Sequence, residues 1–191
     1  MIQQQSRDRM LFWMYENVAF LPEETKKCMT KHLGEEPTEW DAVSLTPARR
    51  PRCFWGNIPG LTCPGEAEMS AFVGNPFLTG ALTPHLSRAA IVDKLRTVTT
   101  RGNSLLINNQ VDSFPVMMGG QGVTPSVTEL ERIFGFPEHY TDMDGMTTSR
   151  RHRLLGKAWS IPVIINLLQP LRQFFSCHPT RDLTKLLCYH Q

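Results

Sequence analysis

The chain has 191 residues, of which 41% are hydrophobic, 20% charged and 9% aromatic, and its formal net charge is +2. That balance is too apolar for a disordered tail and too mixed for a fibrous or low-complexity protein, so the chain is expected to fold as one domain or slightly more. No apolar run approaches the roughly 20 residues that cross a bilayer, and the stretch from Met1 to Arg9 is polar, so no membrane partner is expected.

Met10-Leu-Phe-Trp-Met-Tyr, ending abruptly at Glu16-Asn17, reads as a strand buried on both faces in a parallel sheet. Pro22 then opens a helix at its first position, Glu23 and Glu24 suit the positive end of the dipole, and Gly34 stops it. A second strand surrounds Cys53-Phe-Trp, and Thr62 to about His85 reads as a Gly- and Pro-rich loop or insertion. Lys94 to Thr100 is expected to be a β-branched strand delivering the polar turn Arg101-Gly-Asn-Ser, and Phe114 to Met118 another short strand. Ser126-Val-Thr-Glu129 is a capping box that starts a helix stopped by Gly135. A basic segment from Thr147 to Arg153 precedes a last amphipathic helix carrying Ile164, Leu167, Leu168, Leu171 and Phe175, which Pro170 should kink. Strand followed by helix is the alternation of an α/β fold.

Five cysteines (Cys28, Cys53, Cys63, Cys177, Cys188) with no paired spacing argue for a reducing compartment, without a disulfide framework or zinc. Cys28 and His32 stand four apart on one helix, but no further ligands lie near them, so no metal site is expected. Glu16 would lie at the carboxyl edge of a sheet, where such folds bind ligands, although a surface carboxylate or a turn cap satisfies the same pattern. Arg50 and Arg52 alternate and so share a face, suited either to gripping a carbonyl or phosphate or to blunting a sheet edge. Arg96, Arg101 and Asn103 are of the types that read base edges, and Arg150, Arg151, Arg153 and Lys157 form a cationic stretch suited to a phosphate backbone or a solvated helix face. Gly119-Gly-Gln-Gly122 has no apolar helix directly after it and is not expected to cradle a phosphate.

Five blocks taken in order resemble the C-terminal half of the catalytic domain of animal de novo DNA (cytosine-5) methyltransferases. They are Phe12-Trp-Met-Tyr-Glu-Asn-Val18, Arg50-Pro-Arg-Cys-Phe-Trp-Gly-Asn-Ile-Pro-Gly60, Arg96-Thr-Val-Thr-Thr-Arg-Gly-Asn-Ser104, Glu131-Arg-Ile-Phe-Gly-Phe-Pro-Glu-His-Tyr-Thr-Asp142 and Leu154-Leu-Gly-Lys-Ala-Trp-Ser-Ile-Pro-Val163. The resemblance implies part of a Rossmann-like, class I S-adenosylmethionine-dependent α/β domain with a small target-recognition region. Residues 1–61 would belong to the catalytic core, 62–124 to the insertion and target-recognition region and 125–177 to the closing helices, with 178–191 unmatched.

By the same resemblance, Glu16 contacts the ring nitrogen and amino group of a flipped cytosine and Arg52 holds its carbonyl oxygen, as the catalytic pair. Asn17, Arg50, Arg96, Thr97, Thr100, Arg101 and Asn103 would contact DNA, with Arg101 reading the CpG guanine. Trp159 and Lys157 would line the S-adenosylmethionine pocket, and His139, Asp142 and Arg151 would build a polar interface for homo- or hetero-oligomers. The implied reaction is methyl transfer to carbon 5 of cytosine at CpG in double-stranded DNA, in the nucleus; the alternative is an inactive accessory subunit of such an enzyme.

The departures bear on activity. The family's Phe-x-Gly-x-Gly cofactor loop and its nucleophilic Pro-Cys are both missing from this sequence, so the cofactor pocket is expected to be incomplete and the chain by itself inactive, as a fragment of a longer enzyme and prone to aggregation. His32 replaces a phenylalanine of a second, apolar interface, Thr148 stands where a DNA-contacting arginine is usual, and Gly102 replaces a serine.

Overall fold

The computed structural model describes residues 10–62, 76–110 and 112–175. Residues 63–75 of the expected insertion, the tail 178–191, and Cys63, Cys177 and Cys188 lie outside the described residues.

The first strand, β1 (Met14–Val18), leads to helix α1 (Glu23–Leu33) and strand β2 (Thr38–Asp41). Pro22 sits one position earlier than expected, as the cap, because its ψ of 137° is still extended. Gly34 closes the helix by donating its N–H to the Thr30 carbonyl at 2.8 Å. Strand β3 (Pro51–Gly56) lies between β1 and β2 and pairs antiparallel with both, with Glu16 opposite Phe54, Val18 opposite Arg52 and Trp40 also opposite Arg52.

This corrects the expected parallel strand buried on both faces. The apolar run serves different layers: Phe12 and Met14 pack with Phe54, Val163 and Leu167 on one face, and Trp13 packs with Cys53, Trp55, Met29 and Leu33 on the other. Tyr15 meets Trp55 edge-on at 6.0 Å and stays partly exposed, so β1 is half-buried. Because successive residues of β3 point to opposite faces, Cys53 and Trp55 face α1, where Trp55 Nε1 donates to Thr30 Oγ1 at 3.0 Å, while Arg52 and Phe54 face the C-terminal helices.

A short helix, α2 (Pro59–Thr62), follows β3. The described part of the expected insertion contains two 3-10 turns, Leu78–Ala81 and Pro84–Leu86, whose Leu78 and Ala81 are buried. Strands β4 (Arg88–Ala90), β5 (Val116–Met118) and β6 (Gln121–Val123) form a second antiparallel sheet. Gly119 and Gly120 make the tight turn between β5 and β6; both have positive φ, 58° and 80°, which a two-residue hairpin of this twist requires. The Gly-Gly-Gln-Gly segment is therefore a hairpin. Lys94 to Thr100, expected as a strand, has only a single bridge, from Leu95 to Ala48, and its β-branched residues have no ladder partner among the described residues.

Helix α3 (Val127–Phe134) has the expected capping box, and Glu129 does more than cap. Fully buried, its carboxylate also accepts from the Thr83 N–H at 2.9 Å and pairs with Arg88 at 2.9 Å, tying the helix to the second sheet. Leu130, Ile133 and Phe134 pack with Leu78, Val98, Val116 and Leu155 in the largest core cluster, where each fully buried side chain contributes on the order of 1.5–3 kcal/mol.

Helix α4 (Thr148–Lys157) is capped by Thr147, whose side-chain oxygen accepts from the Arg150 N–H, and α5 (Ile161–Leu168) starts with Pro162 in its first turn. The expected kink at Pro170 is instead the end of the α-helix: the chain tightens into a 3-10 turn over Gln169–Gln173, which tolerates the missing N–H. The stretch Thr148–Gln173 has the length and mean apolarity of a membrane span, yet it is broken at Ala158–Ser160 and buries His152, Leu155, Val163 and Leu167 inside the protein.

Candidate functional site

The antiparallel register places Glu16 and Arg52 diagonally on one face of the first sheet, where long side chains reach each other. Arg52 Nε lies 2.9 Å from Glu16 Oε1, with both side chains largely shielded from solvent. The indole Nε1 of Trp159, in the break between α4 and α5, donates to Glu16 Oε2 at 3.2 Å. Burial pulls the Arg52 guanidinium below its usual range, and the Glu16 charge and hydrogen bond oppose that loss. Both Glu16 oxygens are thus fixed in direction by donors, and Trp159, 47% exposed, leaves its ring open to solvent. The cluster presents acceptor, donor and aromatic surface side by side.

Asn17 and Arg50 do not join it. Asn17 projects to the opposite face, where its amide contacts Met29 Sδ and its Oδ1 accepts from the Val18 N–H. Arg50 is 6% exposed, and its guanidinium donates to the carbonyls of Val98 at 3.1 Å, Gly156 at 3.2 Å and Ala158, with the Phe134 ring 5.0 Å away. Burial, with Arg52 nearby, lowers its pKa to about 10, so it remains cationic at neutral pH. An arginine bound to three backbone carbonyls has few donors left for a ligand; Arg50 positions the loop at Val98 and the end of α4. Lys157 is exposed in the last turn of α4, where a cation suits the helix dipole.

The segment from Arg96 to Ser104 lines an open groove of about 900 Å³ beyond the ends of β1 and β2. Arg96, Thr97, Thr100, Arg101 and Asn103 all line it, together with Phe20 and Arg49. Its backbone is held locally: the Thr99 N–H donates to Ser104 Oγ, Ser104 Oγ–H to the Arg101 carbonyl, and the Arg101 N–H to Thr99 Oγ1. Lys94 anchors its start through the carbonyls of Val43 and Thr46. Gly156 of α4 lies directly against it, since a Cβ there would fall 2.5 Å from the Thr99 carbonyl.

His139, Asp142 and Arg151 are brought together. Asp142 Oδ2 lies 3.3 Å from Arg151 Nη1 and 3.4 Å from His139 Nδ1. Beneath them is Glu131, fully buried and absent from the expected site. It accepts from the N–H groups of His139 and Thr141, from the Thr141 hydroxyl and from Arg151 Nη2. Burial alone would raise the Glu131 carboxyl, but the Thr141 hydrogen bonds and Arg151 outweigh it and hold it below the usual carboxylate range. In sequence Glu131 looks like one more helix glutamate; only its position three residues ahead of the apolar Phe134 hinted at an inward face.

Neither described cysteine is placed for attack on a ligand at Glu16. Cys53 is fully buried on the opposite face of β3, and burial pushes its thiol up. Cys28 lies on α1, on that same far side, with its Sγ 3.7 Å from His32 Nδ1. Among the described residues no group of three or more potential metal ligands is gathered.

No protein-family profile matches the chain. The solved structures similar to it include the Dnmt2 methyltransferase of S. pombe, with 17% identity and a TM-score of 0.54 over 84% of this chain, and the methyltransferase EhMeth of Entamoeba histolytica, with 14% identity and a TM-score of 0.52 over 84%. The chain spans 67% of the first and 62% of the second. The chain shares with these two structures an α/β, Rossmann-like fold.

Proposed function

We propose that the chain is part of a DNA (cytosine-5) methyltransferase acting at CpG, with Glu16 and Arg52 as the pocket for a flipped cytosine. The observation that carries this reading is the Glu16–Arg52–Trp159 cluster. Cytosine presents an amino donor beside a ring nitrogen and, next to it, a carbonyl acceptor; a fixed carboxylate and a fixed guanidinium on one sheet face match that edge. A target base inside a duplex must leave the stack to reach such a pocket, and the groove lined by Arg96 and Arg101 supplies the cationic path for the backbone and guanine.

When the base is bound, Glu16 holds a proton between its oxygen and the ring nitrogen, which draws electron density from the ring carbon attacked by the nucleophile. Arg52 keeps the carbonyl oriented and Trp159 closes the side of the site. S-adenosylmethionine would supply the methyl group. The residues described fit one wall of its site, namely the open face of Trp159 with Lys157 nearby in sequence. Cys53 and Cys28 lie across the sheet from Glu16, and no cysteine of this sequence follows a proline as the resemblance requires of the nucleophile; the chain by itself is therefore expected to be inactive. The reaction places the protein in the nucleus, with partners docking at Asp142 and Arg151.

The second reading, a non-catalytic subunit that completes an active partner, is favoured by the placement of Cys28 and Cys53 away from Glu16 and by the pre-formed His139–Asp142–Arg151 face. A CpG duplex carrying the fluorescent base pyrrolocytosine at the target position separates the two. Flipping by the chain should raise its fluorescence, and Glu16→Ala or Arg52→Ala should abolish the rise. An equal signal from both variants sinks the pocket assignment and leaves the subunit reading.

A further inference from the structure

We propose that Phe20 is a DNA-contacting aromatic, lodging against bases of a duplex bound in the groove beside the 96–104 loop; this rests on the DNA reading above. Phe20 is 85% exposed and lines the groove. Its outward position is enforced from both sides. Ala19 is buried, and Leu21 packs against the cluster of Cys53 and Trp55, so the extended chain between β1 and α1 leaves Phe20 outside. The residue stands four positions after Glu16, at the end of β1 nearest the groove.

The chemistry around it fits a polyanion with aromatic faces. Arg49, Arg96 and Arg101 line the same groove, are exposed, and have no side-chain hydrogen-bond or ion-pair partner among the described residues. Of the two carboxylates there, Asp41 is already engaged by the N–H groups of Arg50 and Val43. Three free guanidiniums attract phosphates; one exposed ring in the same groove adds a surface on which an unstacked base can rest, or an apolar wedge at the step opened by flipping.

The test is anisotropy of a labelled CpG duplex with the full chain across a series of salt concentrations. Phe20→Ala should weaken binding about tenfold at every salt concentration, with the slope of log K against log salt unchanged, because a ring releases no counterions. Phe20→Trp should restore the affinity. Arg96→Ala should instead lower the slope by about one unit. If Phe20→Ala binds like the parent while Arg96→Ala weakens binding, the Phe20 assignment is overturned and the DNA reading stands. If the parent binds no duplex, or polyglutamate displaces the duplex as well as unlabelled DNA does, the DNA reading itself fails. Phe20 is exposed, so Phe20→Ala should keep the parent's melting temperature; a lowered one would show that the ring supports the fold and would overturn the proposal.

Discussion

Two regions of this molecule use arginine in opposite ways. At the first sheet, Arg50 and Arg52 are shielded and committed, one to three backbone carbonyls and the other to Glu16, so their geometry is fixed before any ligand arrives. In the groove, Arg49, Arg96 and Arg101 are exposed and uncommitted. A pocket that must discriminate a small heterocycle gains from pre-set donors, whereas a surface that follows a flexible, charged backbone gains from donors that keep their conformational freedom until binding. Arg50 connects the two, because its bond to Val98 holds the loop that carries Arg96 and Arg101, and its bond to Gly156 ties that loop to α4.

The comparison breaks first at Arg50. Arg50→Ala strands three carbonyls and empties the space over Phe134, and is expected to cost about 3 kcal/mol or more in denaturant unfolding. Arg50→Lys should recover only part, because an ammonium cannot spread over three divergent acceptors. A variant that unfolds like the parent would show that the loop needs no such anchor.

Glu131→Gln comes next, at roughly 2–3 kcal/mol, since it leaves the Arg151 guanidinium beside a neutral group. Its pH signature is specific. A carboxyl held below its unfolded value stabilises the protein above the ordinary carboxylate range, and that contribution fades as pH falls through the folded pKa. Thermal melts at descending pH should therefore bring Glu131→Gln and the parent together; a gap that is constant with pH would refute the ionised assignment.

Two glycines sharpen the contrast between anchored and free parts of the groove. Gly156→Ala forces α4 away from the Thr99 backbone and should cost about 1–3 kcal/mol. Gly102→Ser, in the same loop, meets nothing within 4 Å and should shift stability by less than about 0.5 kcal/mol. Comparable losses for both would show that the loop is packed along its whole length.

The smallest stability effect belongs to Arg101→Ala, within about 0.5 kcal/mol by thermal melting, because it removes no contact. Its effect should appear in recognition: loss of about 1–3 kcal/mol of preference for CpG over a duplex with adenine in place of the guanine. Unchanged preference would remove Arg101 from base reading.

Local signals were readable in the sequence wherever one residue type fixes the backbone. The Ser126–Glu129 capping box, the Gly34 and Gly135 helix stops and the buried Cys53-Phe-Trp strand all appear in place. The β-branched run from Lys94 to Thr100 misled, because propensity describes a surface that fits a sheet, while a ladder needs a partner strand, and among the described residues only Ala48 bridges to it. The parallel reading of β1 failed for a related reason: an apolar run reports burial but not the direction of the partner strand.

The sequence by itself determined which residue types were available: a carboxylate closing a strand, two arginines two apart, a threonine-rich loop with arginine at both ends, and a Trp-Ser break between helices. It could not assign their tasks, since Arg50 and Arg52 differ neither in type nor in pattern. Only the tertiary structure separated them, by burying one guanidinium under three carbonyls 48 to 108 residues away in sequence and leaving the other against Glu16. It also turned Glu131 from a helix glutamate into the centre of a polar cluster and left Phe20 bare beside the groove. Charge and shape are written residue by residue; desolvation and partnership depend on segments that meet only when the chain has folded.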